Sequence, residues 1–151
     1  MTASSHKEVY NIPSHEAIGN LKRLCTWLEV LRERYNDRYV TNPSLSSRPS
    51  EVRGEISEEP IRLNSGYRSP QLNRAIGGVS NSNHLTGCAV DIRVENMEQL
   101  IRYASILLDI SNETKQDFDE LLIEKNRYGA IWLHFAVRPK DNRRKVAFIN
   151  A

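Results

Sequence analysis

The chain is short of the residues that announce several common protein classes. It has 2 cysteines and 4 histidines in 151 residues, and neither cysteine belongs to a C-x-x-C pair. A thiolate metal centre and a dense disulfide framework are thereby excluded. No window approaches the ~18 consecutive apolar residues of a membrane span. An excess of one charge is lacking too: 21 basic against 19 acidic side chains leave a net +2. With no stripe of interleaved basic and aromatic residues, a nucleic-acid partner is not expected. Met1 to Asn20 holds no apolar h-region, so no secretory signal peptide is expected and cytoplasmic synthesis is the default. Cys25 falls on the apolar stripe of a helix, where a buried reduced thiol is expected. Sequence alone leaves a Cys25–Cys88 disulfide open.

What is there suits one soluble globular domain. The chain is 39% hydrophobic and 26% charged, and a chain of this size buries roughly two-thirds of its unfolded surface. Residues 1–12 are polar and expected to be flexible, leaving a single domain over 13–151 with a loop insertion at 41–60. That insertion carries Pro43, Pro49 and Pro60 and five serines.

Apolar residues at helical spacing, Ile18, Leu21, Leu24, Cys25, Leu28, Leu31 and Tyr35, predict a helix from an N-cap at Ser14 to about Tyr35. Ile61 and Leu63 predict a short strand, broken by Gly66. Pro70 opens a short helix that Gly77-Gly78 stops. Val90, Ile92 and Val94 predict a strand. Asn96 and Gln99 resemble a capping box, opening a helix whose face is expected to hold Met97, Leu100, Ile101, Ala104, Leu107 and Leu108. Strands are expected over Phe118 to Glu124 and Ala130 to Val137, joined as a hairpin by the Lys125–Gly129 turn. Val146 and Phe148 predict a last edge strand. The expected class is α+β, with helices packed on an antiparallel sheet.

Three polar residues break this pattern. Asp91 stands between Val90 and Ile92, where an unpaired buried carboxylate would cost several kcal/mol. His134 lies in the most apolar strand, on the face opposite Ile131, Leu133, Phe135 and Val137. His84 lies in the turn-rich approach to Asp91. Singly, each has an ordinary explanation: an Asp91–arginine ion pair, a hydrogen-bonded sheet histidine, a loop histidine. Together, two imidazoles and one carboxylate are the ligand set of a catalytic zinc with an open position, a set that Fe²⁺ also uses.

The order of motifs carries a resemblance. Ser65-Gly66-Tyr67-Arg68-Ser69-Pro70, followed by Leu72-Asn73 and Gly77-Gly78, resembles the first signature of the zinc D-Ala-D-Ala carboxypeptidase family. Ser82-x-His84-x-x-Gly87-x-Ala89-x-Asp91 resembles that family's central metal motif, and Trp132-Leu133-His134 its Trp-x-His ending. The family includes D,D-carboxypeptidases, the D,D-dipeptidases of vancomycin resistance and phage endolysins, and it shares its fold with the hedgehog signalling domain. The resemblance spans about Ile18 to Val137. It implies a hedgehog/DD-peptidase-like fold, one Zn²⁺ held by His84, Asp91 and His134, and a peptidase acting on peptidoglycan peptides, as a carboxypeptidase or as a stem-peptide or cross-link endopeptidase.

The resemblance also implies further roles. Many relatives carry an acid three residues before the last histidine, where this chain has Ile131. In the subgroup it most resembles, an acid ends the preceding strand, making Glu124 the candidate general base with Glu120 in reserve. Arg68 is expected to bind the substrate's carbonyl oxygen or terminal carboxylate. Ser82 is expected to bond the peptide or cap its turn, Tyr67 to line the pocket or pack, and Trp132 to form an apolar wall. Arg93 is expected to make a scaffold ion pair. A monomer is expected, reaching the cell wall after release as in phage lysis or acting on cytoplasmic precursors. The departure at Ile131 keeps a second reading alive, a non-catalytic zinc-containing binding domain of the same fold.

Overall fold

The computed structural model describes residues 11–41, 58–76 and 82–151. Most of the expected 41–60 insertion, nearly all of the N-terminal segment and Gly77-Gly78 lie outside the described residues. Helix α1 spans His15–Tyr35, with the Ser14 side chain accepting from the Ala17 N–H at 3.1 Å. A π-helical turn, Asn36–Val40, continues it. The buried Asn36 side chain ties that turn to the returning chain, donating to the Glu59 carbonyl and accepting from its N–H. Helix α2 is short, Pro70–Ala75, and helix α3 runs over Met97–Thr114.

Five strands, β1 Leu63–Ser65, β2 Ala89–Arg93, β3 Glu120–Lys125, β4 Ile131–Ala136 and β5 Lys145–Asn150, form one sheet in the order β1-β2-β4-β3-β5. All neighbours are antiparallel except β3 and β5, which run parallel. The class is α+β with a mostly antiparallel sheet. The parallel pair departs from the fully antiparallel expectation, because β4 is already hydrogen-bonded on both edges. The chain must therefore step over the start of β3 to reach a free edge. Residues 137–144 make that step, with the Arg144 N–H donating to the Phe118 carbonyl and the Lys145 N–H to that of Asp119.

Period-two alternation splits the sheet into an apolar and a polar face. Val90, Ile92, Leu121, Leu133 and Phe135 pack under α1 and α3, and Trp27 of α1 meets the Phe135 ring at 5.3 Å between centroids. Both helices are rotated from the expected faces. Cys25 is exposed, contrary to the buried thiol expected, while Trp27 takes the inward place; both cysteines are free. On α3, Met97 and Ile101 are exposed, and Tyr103, Ile106 and Ile110 are buried beside Leu100 and Leu107. Both helices carry apolar residues around much of their circumference, so spacing alone does not fix the rotation. The partners do: Tyr103 packs edge-on to Tyr35, 4.8 Å between centroids.

Candidate metal centre and cleft

The opposite face of the sheet carries the candidate site, and strand register builds most of it. Asp91 of β2 pairs across the ladder with His134 of β4, and Trp132 pairs with Glu124 of β3. His84 arrives from outside the sheet, on the 3-10 turn Asn83–Thr86. The central sequence motif reads out as local geometry here. The Ser82 hydroxyl accepts the His84 N–H at 3.1 Å and so starts the turn. Gly87 ends it at φ +74°, with its α-carbon so close to α1 that an added β-carbon would sit 2.5 Å from the Ala17 carbonyl oxygen. Two residues later Ala89 begins β2, and alternation turns Asp91 to the same face.

The donors then converge. Asp91 Oδ1 is 3.1 Å from His134 Nδ1, and Asp91 Oδ2 is 3.4 Å from His84 Nε2. His84 Nδ1 lies 2.7 Å from the Gly66 carbonyl oxygen, which only accepts, so Nδ1 carries a proton. Its Nε2 is the nitrogen that faces the Asp91 carboxylate. His134 meets a carboxylate at each nitrogen, Asp91 at Nδ1 and Glu120 at Nε2, the latter 3.0 Å away. Neutral, it donates to one of them and opposes the other with a lone pair.

Electron pairs turned toward one another require a proton or a metal ion between them. Burial pushes the Asp91 carboxyl up, but its contacts to His134 and His84 outweigh this and hold it well below the usual range. Burial likewise opposes charge on His134, yet Asp91 and Glu120 carry its imidazole up to about 9. A divalent cation answers the same need. The three groups offer donor atoms all within 4.8 Å of one another, and a tetrahedral zinc with bonds of ~2.0–2.1 Å spaces its ligand atoms by roughly 3.3 Å. The residues fit such an ion. Among the described residues no arginine pairs with Asp91: the two histidines take both its oxygens. Arg93, expected in a scaffold ion pair, is exposed and makes none among the described residues.

Around this centre lies a cleft of about 670 Å³. Glu124 lines it, with Oε1 2.6 Å from the Trp132 indole nitrogen that donates to it and 4.0 Å from His134 Nδ1. Burial pushes the Glu124 carboxyl up, with His134 and Trp132 opposing. Arg68 also lines the cleft. Its backbone N–H donates to the His84 carbonyl at 2.8 Å, and its guanidinium donates to Ser82 Oγ at 3.1 Å. Burial lowers its pKa, against the attraction of Asp91 and Glu124. Ser82 and Trp132 are cleft residues too, whereas Tyr67 does not line it. The loop turns in Arg68 and leaves Tyr67 bonded through its carbonyl to Asn11, whose side chain also accepts the Ser69 N–H.

Sequence reasoning missed a second cluster that borders the same cleft. Asp119, fully buried, accepts from Arg143 Nε at 3.0 Å and Nη2 at 2.8 Å, and from the Asn83 amide at 2.8 Å. Arg138 Nε adds a contact at 3.3 Å. Burial pushes the Asp119 carboxyl up, but Arg143 and Asn83 prevail and hold it at about 2. A charged residue directly after Phe118 at the head of an apolar strand was the available sign.

Residues 47–116, somewhat under half of the chain, match the family model described as Peptidase M15. The match includes Arg68, Ser82, His84 and Asp91, and it stops short of Glu120, Glu124 and His134. Among curated proteins, none matches the chain significantly.

Proposed function

With the Peptidase M15 match supporting the zinc D-Ala-D-Ala carboxypeptidase-like family, we propose that this peptidase is a zinc enzyme that hydrolyses peptide bonds of peptidoglycan. Its reaction is either removal of a terminal residue or a cut within the stem peptide or cross-link. The observation that carries this reading is the convergence of donor atoms from His84, Asp91 and His134, all within 4.8 Å of one another, beside a half-buried carboxylate, Glu124. His84, Asp91 and His134 would hold the zinc ion, which when bound would supply Lewis-acid activation of water and of the scissile carbonyl.

The chain's own residues do the rest. Glu124 accepts a proton from the attacking water and returns it to the leaving amine. Its raised pKa suits it to hold that proton between the two steps, and the Trp132 N–H keeps Oε1 oriented. Arg68, steadied by Ser82, offers its guanidinium to the carbonyl oxygen as charge develops there. Trp132 supplies an apolar wall. Glu124 also counts against the non-catalytic reading: a purely structural zinc site has no need of a half-buried carboxylate beside an open position. The working form is a monomer, acting on the wall after release or on precursors in the cytoplasm.

The test is metal analysis of the purified chain together with digestion of peptidoglycan, the fragments being identified by mass spectrometry. Equimolar zinc and new peptide termini are expected, both lost in His134→Ala. A chain that takes up no zinc and leaves peptidoglycan uncut with zinc added would overturn the proposal.

A further inference from the structure

The Asp119 cluster does more than balance a buried charge. Asp119 is one carboxylate facing two guanidiniums, and it is also bonded by the Asn83 amide and the Arg143 backbone N–H. The second arginine is in excess of what neutralisation requires. Glu120 Oε2 stands 3.4 Å from Arg143, but Glu120 is already shared with His134 and with the Asn83 amide at 2.7 Å. Both arginines line the same cleft as the metal centre, and both remain partly exposed there.

They are also fixed by their inner edges. Arg143 spends Nε and Nη2 on Asp119. Arg138 spends Nε on Asn83 Oδ1 at 3.0 Å, and Asn142 clamps its backbone from both sides, at 2.7 Å and 3.0 Å. Arg138's two terminal nitrogens and Arg143's Nη1 have no partner among the described residues. A planar pair of N–H donors on an anchored guanidinium is the shape that receives a carboxylate in two parallel hydrogen bonds. Because the stems are held in advance, little side-chain freedom is lost on binding. Asp91, Glu120 and Glu124 line the same cleft and repel a multiply charged anion, which leaves a single carboxylate as the group the guanidinium fork suits.

We propose that Arg138, supported by Arg143, forms an anion subsite of the cleft, distinct from Arg68, that binds a free carboxylate of the peptide substrate. This rests on the peptidase reading above for the identity of the ligand as a peptide. Selectivity then comes from a carboxylate at a fixed distance from the bond being cut, carried by an acidic residue or a chain terminus.

The experiment compares two probes, the tripeptide L-Ala-γ-D-Glu-L-Lys with free carboxylates and the same peptide with both carboxylates amidated. Binding is measured by calorimetry to the full chain with zinc added, in a Glu124→Gln background that suppresses turnover. The free peptide is expected to bind at least ten-fold tighter than the amide. Arg138→Met is expected to bring that ratio near unity without weakening the amide. Arg138→Lys, which keeps the charge near Asp119 and loses the fork, is expected to reduce it several-fold, and serves as the reading if Arg138→Met does not fold. Equal affinities for the two probes, or a ratio untouched by the foldable variant, would overturn the subsite. Hydrolysis of the free peptide by the unsubstituted chain is scored separately. A chain that binds with this preference but cuts neither the peptide nor peptidoglycan overturns the peptidase reading and leaves the subsite standing.

Discussion

Glu120 grips the imidazole of His134 from the side away from Asp91, its Oε1 3.0 Å from Nε2 while Asp91 Oδ1 stands 3.1 Å from Nδ1. Held at both nitrogens, the ring cannot swing. A carboxylate behind a liganding histidine fixes its tautomer and raises its basicity, and losing such a partner typically costs ~10–100-fold in metal affinity. Glu120→Gln should weaken zinc binding by about that factor, read by competition with a chelating dye. Unchanged affinity would make Glu120 a bystander.

Glu124 is assigned the proton transfers, so Glu124→Gln should lower kcat by roughly 100-fold or more. Zinc content should stay the same, since Glu124 sits beside the proposed ligands His84, Asp91 and His134 and is not one of them. Trp132→Phe removes only the N–H that orients Oε1 and should give a smaller loss. Steady-state kinetics alongside metal analysis checks both, and full activity in Glu124→Gln would remove it from the mechanism.

Gly87 answers to two constraints at once, a left-handed φ of +74° and the backbone of α1 against its α-carbon. Gly87→Ala should destabilise the fold by about 2 kcal/mol or more, seen in urea midpoints. The obstruction is the Ala17 backbone, so a compensating Ala17→Gly should not rescue it. Recovery of stability in the double variant would show that the contact is not the cause.

Asp119 links stability to acid. Its carboxyl is held at about 2, below the ordinary 3.8. A group with a lowered folded pKa contributes fully above its unfolded value, and the contribution is lost as the pH falls through the folded one. The stability advantage of the wild type over Asp119→Asn should therefore be full above pH ~4 and shrink by about 2 kcal/mol as the pH falls toward 2. Urea unfolding of both forms across that range measures it; a constant difference would refute it.

Much of this could be read in the sequence wherever a single element carried the information. The caps at Ser14 and Asn96 are local, and the Asn96 side chain accepts the Gln99 N–H as the capping pattern implied. Strand alternation put His134 and Asp91 on the polar face, and the short turn after Lys125 brought Glu124 beside Trp132. What could not be read depends on distant partners. Helix rotation is decided by which rings meet, so Trp27 displaced Cys25 and Tyr103 displaced Ile101. Arg138 and Arg143 reach Asp119 only because the sheet order forces the chain over the start of β3, a fact held by no window of sequence.

That crossing also sets an order of assembly. A growing chain emerges from its N-terminus, and His84 and Asp91 appear well before β4. Until His134 has emerged and β4 has slotted between β2 and β3, two donors face each other without the third. The arginines follow last, on the crossing itself, with β5 behind them. Every donor of the proposed metal centre is thus synthesised before Arg138 and Arg143, so a chain interrupted between Ala136 and Arg138 would carry His84, Asp91 and His134 while lacking both of these cleft cations.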